Sequence, residues 1–177
     1  RAILDMTAQF DFYHGGGLDV CYLSFAEVDK EGNVNVHKFN GKIMGTGGFI
    51  DISATSKKIV FCGTLTAGGL RTEVGDGKLT ITQEGRVTKF VDHLPEITFS
   101  GKVALERGLD VRYVTERAVF TLKADGLHLV EVAPGVDIER DIVAKMGFKP
   151  VIDKDLKQMD ACIFTDAVMG FKLPDAE

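Results

Sequence analysis

Residues 45–61 read GTGGFIDISATSKKIVF and hold the pattern that decides the fold: a glycine loop, a short helix and a strand. The loop, residues 45–49, contains three glycines, whose backbone can approach a ligand closely because no Cβ atom intervenes. Residues 51–56 predict a short helix, since Asp and Ser suit its early positions. Residues 59–61 then predict a buried strand, because β-branched and aromatic residues favour strands.

Strand patterns lie on both sides of this unit. The apolar run at residues 18–28 and the alternating residues 34–36 predict a hairpin, with Asp, Gly and Asn supplying its turn. Residues 78–82 and 86–91 predict a second hairpin, in which Glu84 is a turn residue.

The second half of the chain mixes helices with strands. Residues 100–108 predict two helical turns that end at a glycine, and residues 137–146 carry an apolar stripe at helical spacing. Residues 111–122 and 127–132 predict strands, whereas residues 148–177 look irregular. This mixture predicts an α/β fold, in which a mixed open sheet has helices on its flanks.

Composition limits the class of protein. The chain has 177 residues, 45% of them hydrophobic, so residues 1–177 are predicted to form a single domain. The formal net charge of -5 argues against a nucleic-acid partner. No apolar run approaches the ~20 residues that a membrane span needs, and no export signal is recognisable. We therefore expect a cytoplasmic protein that has no membrane partner.

Metal and triad chemistry are not indicated. The three cysteines lack the spacing of zinc ligands and are expected to be free thiols: Cys21, Cys62 and Cys162. The four histidines show no HxxxH or other paired spacing, and none has an obvious Ser or Cys partner. No metal site and no covalently bound cofactor are therefore predicted.

Several segments together carry more information than the glycine loop, which by itself is typical of a turn. Residues 9–19 read QFDFYHGGGLD, 29–36 read DKEGNVNV, 57–70 read KKIVFCGTLTAGGL and 113–120 read YVTERAVF. In this order and spacing, and with the glycine loop, they resemble the C-terminal part of acetate or propionate CoA-transferases, which are family I enzymes.

The resemblance implies an activity. Family I enzymes exchange CoA between a short-chain acyl-CoA and a short-chain carboxylate through a glutamyl-CoA thioester, so coenzyme A is a substrate. The attacking glutamate of the family lies in a Glu-x-Gly context upstream of the QFDFY segment, outside this sequence. The resemblance therefore implies that the N-terminal part of the same enzyme is a partner, and it also implies a homo-oligomer.

The resemblance also assigns site residues by position. Gly45, Gly47, Gly48 and Phe49 match the loop that binds CoA, and the amides of Gly47 and Gly48 are the candidate donors to an oxyanion. Asp19 matches a polar residue near the family's glutamate and is a candidate for orienting it. A carboxylate beside another carboxylate would raise the pKa of one of them.

Two alternatives remain open. The chain could be a non-catalytic module that binds CoA through the glycine loop, or it could contribute an interface to an oligomer. Glu116 and Arg117 are most simply an ion pair or polar contacts at a sheet edge. We expect the isolated chain to lack transferase activity and the protein that includes the upstream part to have it.

Overall fold

The structure, a computed structural model, describes residues 3–39 and 41–170. In this part, the α-helices are α1 (Met6–His14), α2 (Phe49–Thr55) and α3 (Gly101–Glu106). The strands are β1 (Val20–Ser24), β2 (Glu27–Asp29), β3 (Val34–Asn35), β4 (Lys38–Phe39), β5 (Lys42–Ile43), β6 (Lys58–Cys62), β7 (Thr66–Ala67), β8 (Arg71–Gly75), β9 (Lys78–Gln83), β10 (Val87–Thr88), β11 (Phe90–Val91), β12 (Asp110–Val114), β13 (Ala118–Lys123), β14 (Gly126–Val132) and β15 (Val151–Gln158). Within these residues, no helix has the length and apolar character needed to cross a bilayer.

The main sheet has six strands in the order β1-β6-β12-β13-β14-β15. Strands β1, β6 and β12 are parallel, whereas β13 is antiparallel to both of its neighbours, and β15 is parallel to β14. The predicted α/β fold with a mixed sheet is therefore confirmed. The carboxyl ends of β1, β6 and β12 lie along one edge, which is where open α/β sheets place their ligands.

The first predicted hairpin is only half correct. Strands β2 and β3 do pair antiparallel, but β1 leaves them and pairs with β6 in the main sheet. The apolar run is interrupted at Phe25, whose side chain turns into the core and is 3% exposed. The continuous strand predicted at residues 18–28 is therefore two strands in different sheets.

The second predicted hairpin is wrong. Strand β9 pairs with β8, which precedes it, while β10 pairs with β7 and β11 pairs with β2. Glu84 is accordingly not a hairpin turn residue. Its carboxylate accepts hydrogen bonds from Arg117, which lies between β12 and β13, and the amide of Gly85 donates to Thr66 Oγ1.

The strand predicted at residues 111–122 is also divided. The hydroxyl of Thr115 accepts hydrogen bonds from the amides of Arg117 and Ala118, at 3.3 and 2.9 Å. This local side-chain turn reverses the chain between β12 and β13, because it satisfies the backbone without a sheet partner.

The helical predictions are better. Helix α3 begins after Ser100, whose Oγ accepts from the amide of Val103, and it falls within the predicted range. Residues 137–146 are helical as predicted, but as a π-helical turn at Ile138–Ile142 and a 3-10 turn at Val143–Lys145. Helix α2 is confirmed and begins two residues earlier than predicted, at Phe49.

The irregular segment predicted at residues 148–177 contains an eight-residue strand, β15, and a 3-10 turn at Ala161–Phe164. The prediction is wrong there because β15 is an exposed edge strand that has little apolar alternation. Residues 171–177 of that prediction lie outside the described part.

The core forms around aromatic side chains of the main sheet. Phe61 of β6 stacks on Phe49 of α2 and on Tyr113 of β12, with ring centroids 5.8 and 5.3 Å apart. Phe61 and Tyr113 are fully buried, and the Tyr113 hydroxyl donates to the carbonyl of Gly32 at 2.5 Å. These contacts fix the start of α2 against the carboxyl half of β6.

The DKEGNVNV segment has a structural role. The carboxylate of Asp29 accepts hydrogen bonds from the amide and side chain of Asn33, and the side-chain oxygen of Asn33 accepts from the amide of Gly101 at 2.9 Å. The turn chemistry expected of this segment is confirmed. The network also joins the β2–β3 hairpin to the first residue of α3.

Helix α1 and strand β1 leave apolar side chains in contact with solvent. No residue of α1 is buried, and Met6 and Phe12 are 74% and 53% exposed. On β1, which is at the edge of the main sheet, Tyr22 is 70% exposed.

Candidate active site

The glycine loop at residues 45–49 is accessible and lies just before α2. Gly45 and Gly47 have φ angles of +83° and +52°, a region that side chains other than glycine rarely adopt. Both glycines are exposed, and no atom lies within 4 Å of the position that a Cβ would take. The loop is therefore open to solvent at Gly45 and Gly47.

The amides of the loop differ in their bonding. The amide of Gly45 donates to the carbonyl of His37 at 3.3 Å, and that of Phe49 donates to Thr46 at 3.1 Å. Within residues 3–39 and 41–170, the amides of Gly47 and Gly48 have no hydrogen-bond acceptor. These two N–H groups are therefore free to bind an anion.

The loop lies near the carboxyl end of β6. Its last residue, Phe49, is 8% exposed and stacks on Phe61, the fourth residue of that five-residue strand. Gly48 packs against the ring of Phe10, where a Cβ would approach ring atoms to 2.8 Å. The loop is therefore in contact with α1 through Phe10 and with β6 through Phe61.

Asp19 lies elsewhere. It directly precedes β1, its carbonyl accepts from the amide of Lys58, and its carboxylate is 2.7 Å from Lys57 Nζ. Both Lys57 and Lys58 follow α2, whereas the glycine loop precedes it, and the seven residues of this helix span about 10 Å. The structure thus places Asp19 and the glycine loop at opposite ends of α2.

The pKa of Asp19 is lowered by its hydrogen bond with Lys57 and by the charge of that ammonium. A second carboxylate would have the reverse effect. The orienting role of Asp19 stays a prediction.

A buried ionic cluster lies just beyond the carboxyl end of β12. The guanidinium of Arg117 is fully buried and binds both oxygens of Glu84, at 2.9 and 3.0 Å. Its Nε also donates to Glu116 at 2.5 Å, and the other oxygen of Glu116 accepts from the amide of Leu65. Arg117 thus forms ion pairs with Glu84 and Glu116, which agrees with one of the two interpretations of the sequence. Its guanidinium lies in the core and not at a sheet edge.

The cluster holds Glu84 ionised. Burial by itself would raise the pKa of Glu84, but hydrogen bonds from Arg117 and Thr66 outweigh it and lower the pKa to about 2. Burial of Arg117 would lower its pKa, yet the bonds and charges of Glu84 and Glu116 leave that pKa raised. Both carboxylates are bound to the fold, which makes them poorly suited to attack a substrate.

Lys89 is a further charged residue at this edge that the sequence patterns did not single out. Only 8% of it is exposed, and its ammonium lies 4.0 Å from the centroid of the Phe25 ring. Phe25 directly follows β1, and Gly63, where a Cβ would lie 2.9 Å from the ammonium, directly follows β6. A lone lysine in the apolar run at residues 87–91 was the signal that could have found it.

A cavity elsewhere in the described part of the chain offers less to a charged ligand. This cavity of about 670 Å³ has four lysines on its rim, but each is within 4.0 Å of a carboxylate. These pairs are Lys30 with Asp92, Lys102 with Glu106, Lys123 with Asp153 and Lys149 with Glu139. No group of three or more potential metal ligands occurs in the described part of the chain.

The sequence and the fold show that the chain is homologous to a segment of CoA-transferases, which confirms the resemblance. It is 78% identical over 176 residues to the acetate CoA-transferase YdiF of Escherichia coli O157:H7, covering 99% of this chain and 33% of that protein. It is 42% identical over 181 residues to the caffeate CoA-transferase of Acetobacterium woodii, and the match covers 96% of this chain and 34% of that protein. No family model matches the chain.

A solved structure shows the same fold. The E. coli O157:H7 acyl-CoA transferase YdiF, in a thioester complex with CoA, superposes with a TM-score of 0.96 at 78% identity and covers 99% of this chain and 34% of that one. This chain therefore spans about a third of the length of these relatives.

Proposed function

We propose that the protein containing this chain is a CoA-transferase that moves CoA between a short-chain acyl-CoA and a short-chain carboxylate. This chain would supply the glycine loop that binds the thioester. The observation that carries the proposal is the pair of free amides, Gly47 and Gly48, in an accessible loop near the carboxyl end of β6. Supporting it, one relative with 78% identity has been solved as a thioester complex with CoA.

The proposed chemistry uses a glutamate from outside these 177 residues, in the N-terminal part of the same enzyme. Its carboxylate attacks the acyl-CoA carbonyl and the C–S bond breaks. The CoA thiolate departs, and a mixed anhydride of the acyl group and the glutamate is formed. The thiolate then attacks the glutamyl carbonyl, which releases the carboxylate product and forms the glutamyl-CoA thioester. A second carboxylate reverses these steps and leaves as its CoA ester.

The glycine loop would act at the tetrahedral stages of these steps. Each attack places a negative charge on a carbonyl oxygen, and N–H donors already held in position stabilise that charge without reorganising. One such donor is typically worth about 3 kcal/mol of barrier. Gly45 would allow the bend of the loop, and Phe49 would anchor it to Phe61.

The proposal extends to the assembly and its location. We propose that residues 1–177 form one domain, that the protein is a homo-oligomer, and that it acts in the cytoplasm. Free thiols support the location, since Cys62 is exposed and unpaired, as suits a reducing compartment.

The test is a pair of glycine substitutions in the protein that includes the upstream part. Gly47→Ala strains the loop by about 1–2 kcal/mol, because φ is +52° there, and this should displace the two amides. Gly108→Ala is the matched control, since Gly108 has φ +67° and open space but lies after α3. We expect kcat for acyl exchange to fall about tenfold or more in Gly47→Ala and less than about twofold in Gly108→Ala.

Equal effects of the two substitutions would contradict the role of the loop. Absence of turnover in the wild-type protein, with CoA binding retained in calorimetry, would instead favour the non-catalytic binding module. Robust turnover by the isolated 177 residues would contradict an external nucleophile.

A further inference from the structure

The Lys89 side chain is largely buried, and its ammonium has few partners. Its position over Phe25, 4.0 Å from the ring centroid, gives it one cation–π contact. An ammonium has three N–H donors, and among the described residues none of those of Lys89 reaches a hydrogen-bond acceptor. The residue as a whole is 8% exposed, and among the described residues its Nζ is not one of the fully enclosed polar atoms that lack a partner, so an anion can reach it.

The surroundings of Lys89 are arranged to hold its head group. A Cβ at Gly63 would lie 2.9 Å from Nζ and 2.8 Å from the Phe25 ring, so a side chain at position 63 would displace the ammonium. Gly63 does not have a positive φ, and so its backbone does not require glycine. The absence of a side chain at position 63 therefore leaves room for the lysine.

The charged neighbours do not neutralise Lys89. Burial lowers the pKa of Lys89, and the charge of Glu116 opposes that shift only in part. Glu116 has no oxygen within 4.0 Å of the ammonium, and its two oxygens are already bonded to Arg117 and to the amide of Leu65. The cation therefore remains available to a further anion.

The location favours a small carboxylate. Lys89 lies beside the residues that follow β1 and β6, on the sheet edge where the glycine loop also lies. Lys89 is not committed to a carboxylate of the described residues, whereas the guanidinium of Arg117 is committed to Glu84 and Glu116. One point charge between an aromatic ring and a glycine suits a carboxylate, whereas a phosphate would require more donors.

We propose that Lys89 binds a carboxylate group at this edge of the sheet, either that of the free short-chain carboxylate or that of the glutamate that attacks the thioester. The proposal rests on the proposed function and adds to it the residue that receives the carboxylate.

The first experiment measures binding without turnover. The protein that includes the upstream part is labelled with [13Cε]lysine, and the Lys89 resonance is assigned by its loss in Lys89→Arg. Sodium acetate is then titrated. A saturable shift of that resonance, with no such shift for exposed Lys154, is expected if the free carboxylate binds there.

The second experiment separates the two sources by kinetics. Lys89→Met keeps the length of the side chain and removes the charge. If the free carboxylate is the ligand, the KM for acetate should rise about tenfold to a hundredfold, with a small change in the KM for acyl-CoA. If the glutamate is the ligand, formation of the enzyme–CoA thioester in the absence of acetate should slow by a similar factor, as followed by mass spectrometry.

Control variants separate binding from folding. Holding an ammonium in a largely buried place without a hydrogen-bonded partner costs free energy, so Lys89→Met should not unfold more readily than wild type. Lys154→Met should leave both kinetic constants unchanged, and Lys89→Arg should retain part of the acetate affinity.

The proposal would be overturned if acetate does not shift the Lys89 resonance of the wild-type protein and if Lys89→Met changes neither the acetate KM nor the rate of thioester formation. A wild-type protein without transferase activity would contradict the proposed function, while the acetate titration would still test Lys89.

Discussion

Arg117 binds both carboxylate oxygens of Glu84, at 2.9 and 3.0 Å, and so joins the turn after β12 to the segment that follows β9. The same guanidinium also donates to the carbonyl of Asp141, in the π-helical turn. Three segments that are distant in sequence thus meet at one buried side chain. The cluster is a structural centre of the molecule near the proposed site.

Removing the guanidinium should destabilise the fold. Arg117→Met leaves Glu84 and Glu116 without their shared cation, and breaking a buried ion pair on one side costs about 3–5 kcal/mol. We expect this loss in the free energy of unfolding, measured by urea denaturation with circular dichroism. Arg112→Met is the control, because Arg112 is exposed, and it should change stability by less than about 1 kcal/mol. Equal losses would show that the cluster does not stabilise the fold.

The same cluster predicts a dependence of stability on pH. The pKa of Glu84 is about 2 in the folded protein, against an ordinary value of 4.5. The ionised carboxylate therefore contributes fully above pH 4.5, and this contribution is lost as the pH falls toward 2. Between these values, wild type should lose stability more steeply than Glu84→Gln. Glu73 is exposed, so the stability of Glu73→Gln should depend on pH as that of wild type does. The same dependence on pH in all three proteins would contradict the low pKa of Glu84.

Gly101 is predicted to tolerate no side chain. A Cβ there would lie 2.1 Å from the carbonyl oxygen of Glu31, where the β2–β3 hairpin meets α3. We expect Gly101→Ala to cost about 3 kcal/mol or more, because backbone on both sides must move. Gly75→Ala meets no atom within 4 Å and should change stability by no more than about 0.5 kcal/mol. Thermal unfolding of the two variants measures the difference, and a small effect at Gly101 would show that this contact relaxes easily.

The pairing of Asp19 with Lys57 can be separated from an orienting role. NMR titration should give a pKa for Asp19 below 3.8, and Lys57→Met should return it toward 3.8, because the hydrogen bond and the nearby charge are removed. An orienting role further predicts that Asp19→Asn lowers kcat while Lys57→Met does not. An unchanged kcat in both variants would limit Asp19 to the surface pair.

Local sequence patterns predicted those parts of the fold whose structure depends on near neighbours. Ser100 caps α3, and residues 58–62 form the β-branched and aromatic strand of the core, as their residue types require. The pairing of residues 78–91 could not be obtained in this way. Their partners, β7, β8 and β2, are chosen by contacts such as that between Glu84 and Arg117, which no short window of sequence contains.

The candidate site also has parts that local sequence predicts and parts that it does not. The glycine loop is visible in sequence because its glycines are adjacent, and the structure shows that the amides of Gly47 and Gly48 are free within the described residues. Lys89 was missed because its significance depends on Phe25 and Gly63, which are distant in sequence. Asp19 was named by resemblance alone, and the structure pairs it with a lysine.

The exposed edge of β1 has a consequence for handling the chain. Among residues 3–39 and 41–170, β1 hydrogen-bonds to β6 on one side only, and Tyr22 extends from it into solvent. Unpaired backbone groups beside apolar side chains recruit strands from other molecules. Preparations of these 177 residues should therefore form multimers as their concentration rises, through strands added at this edge.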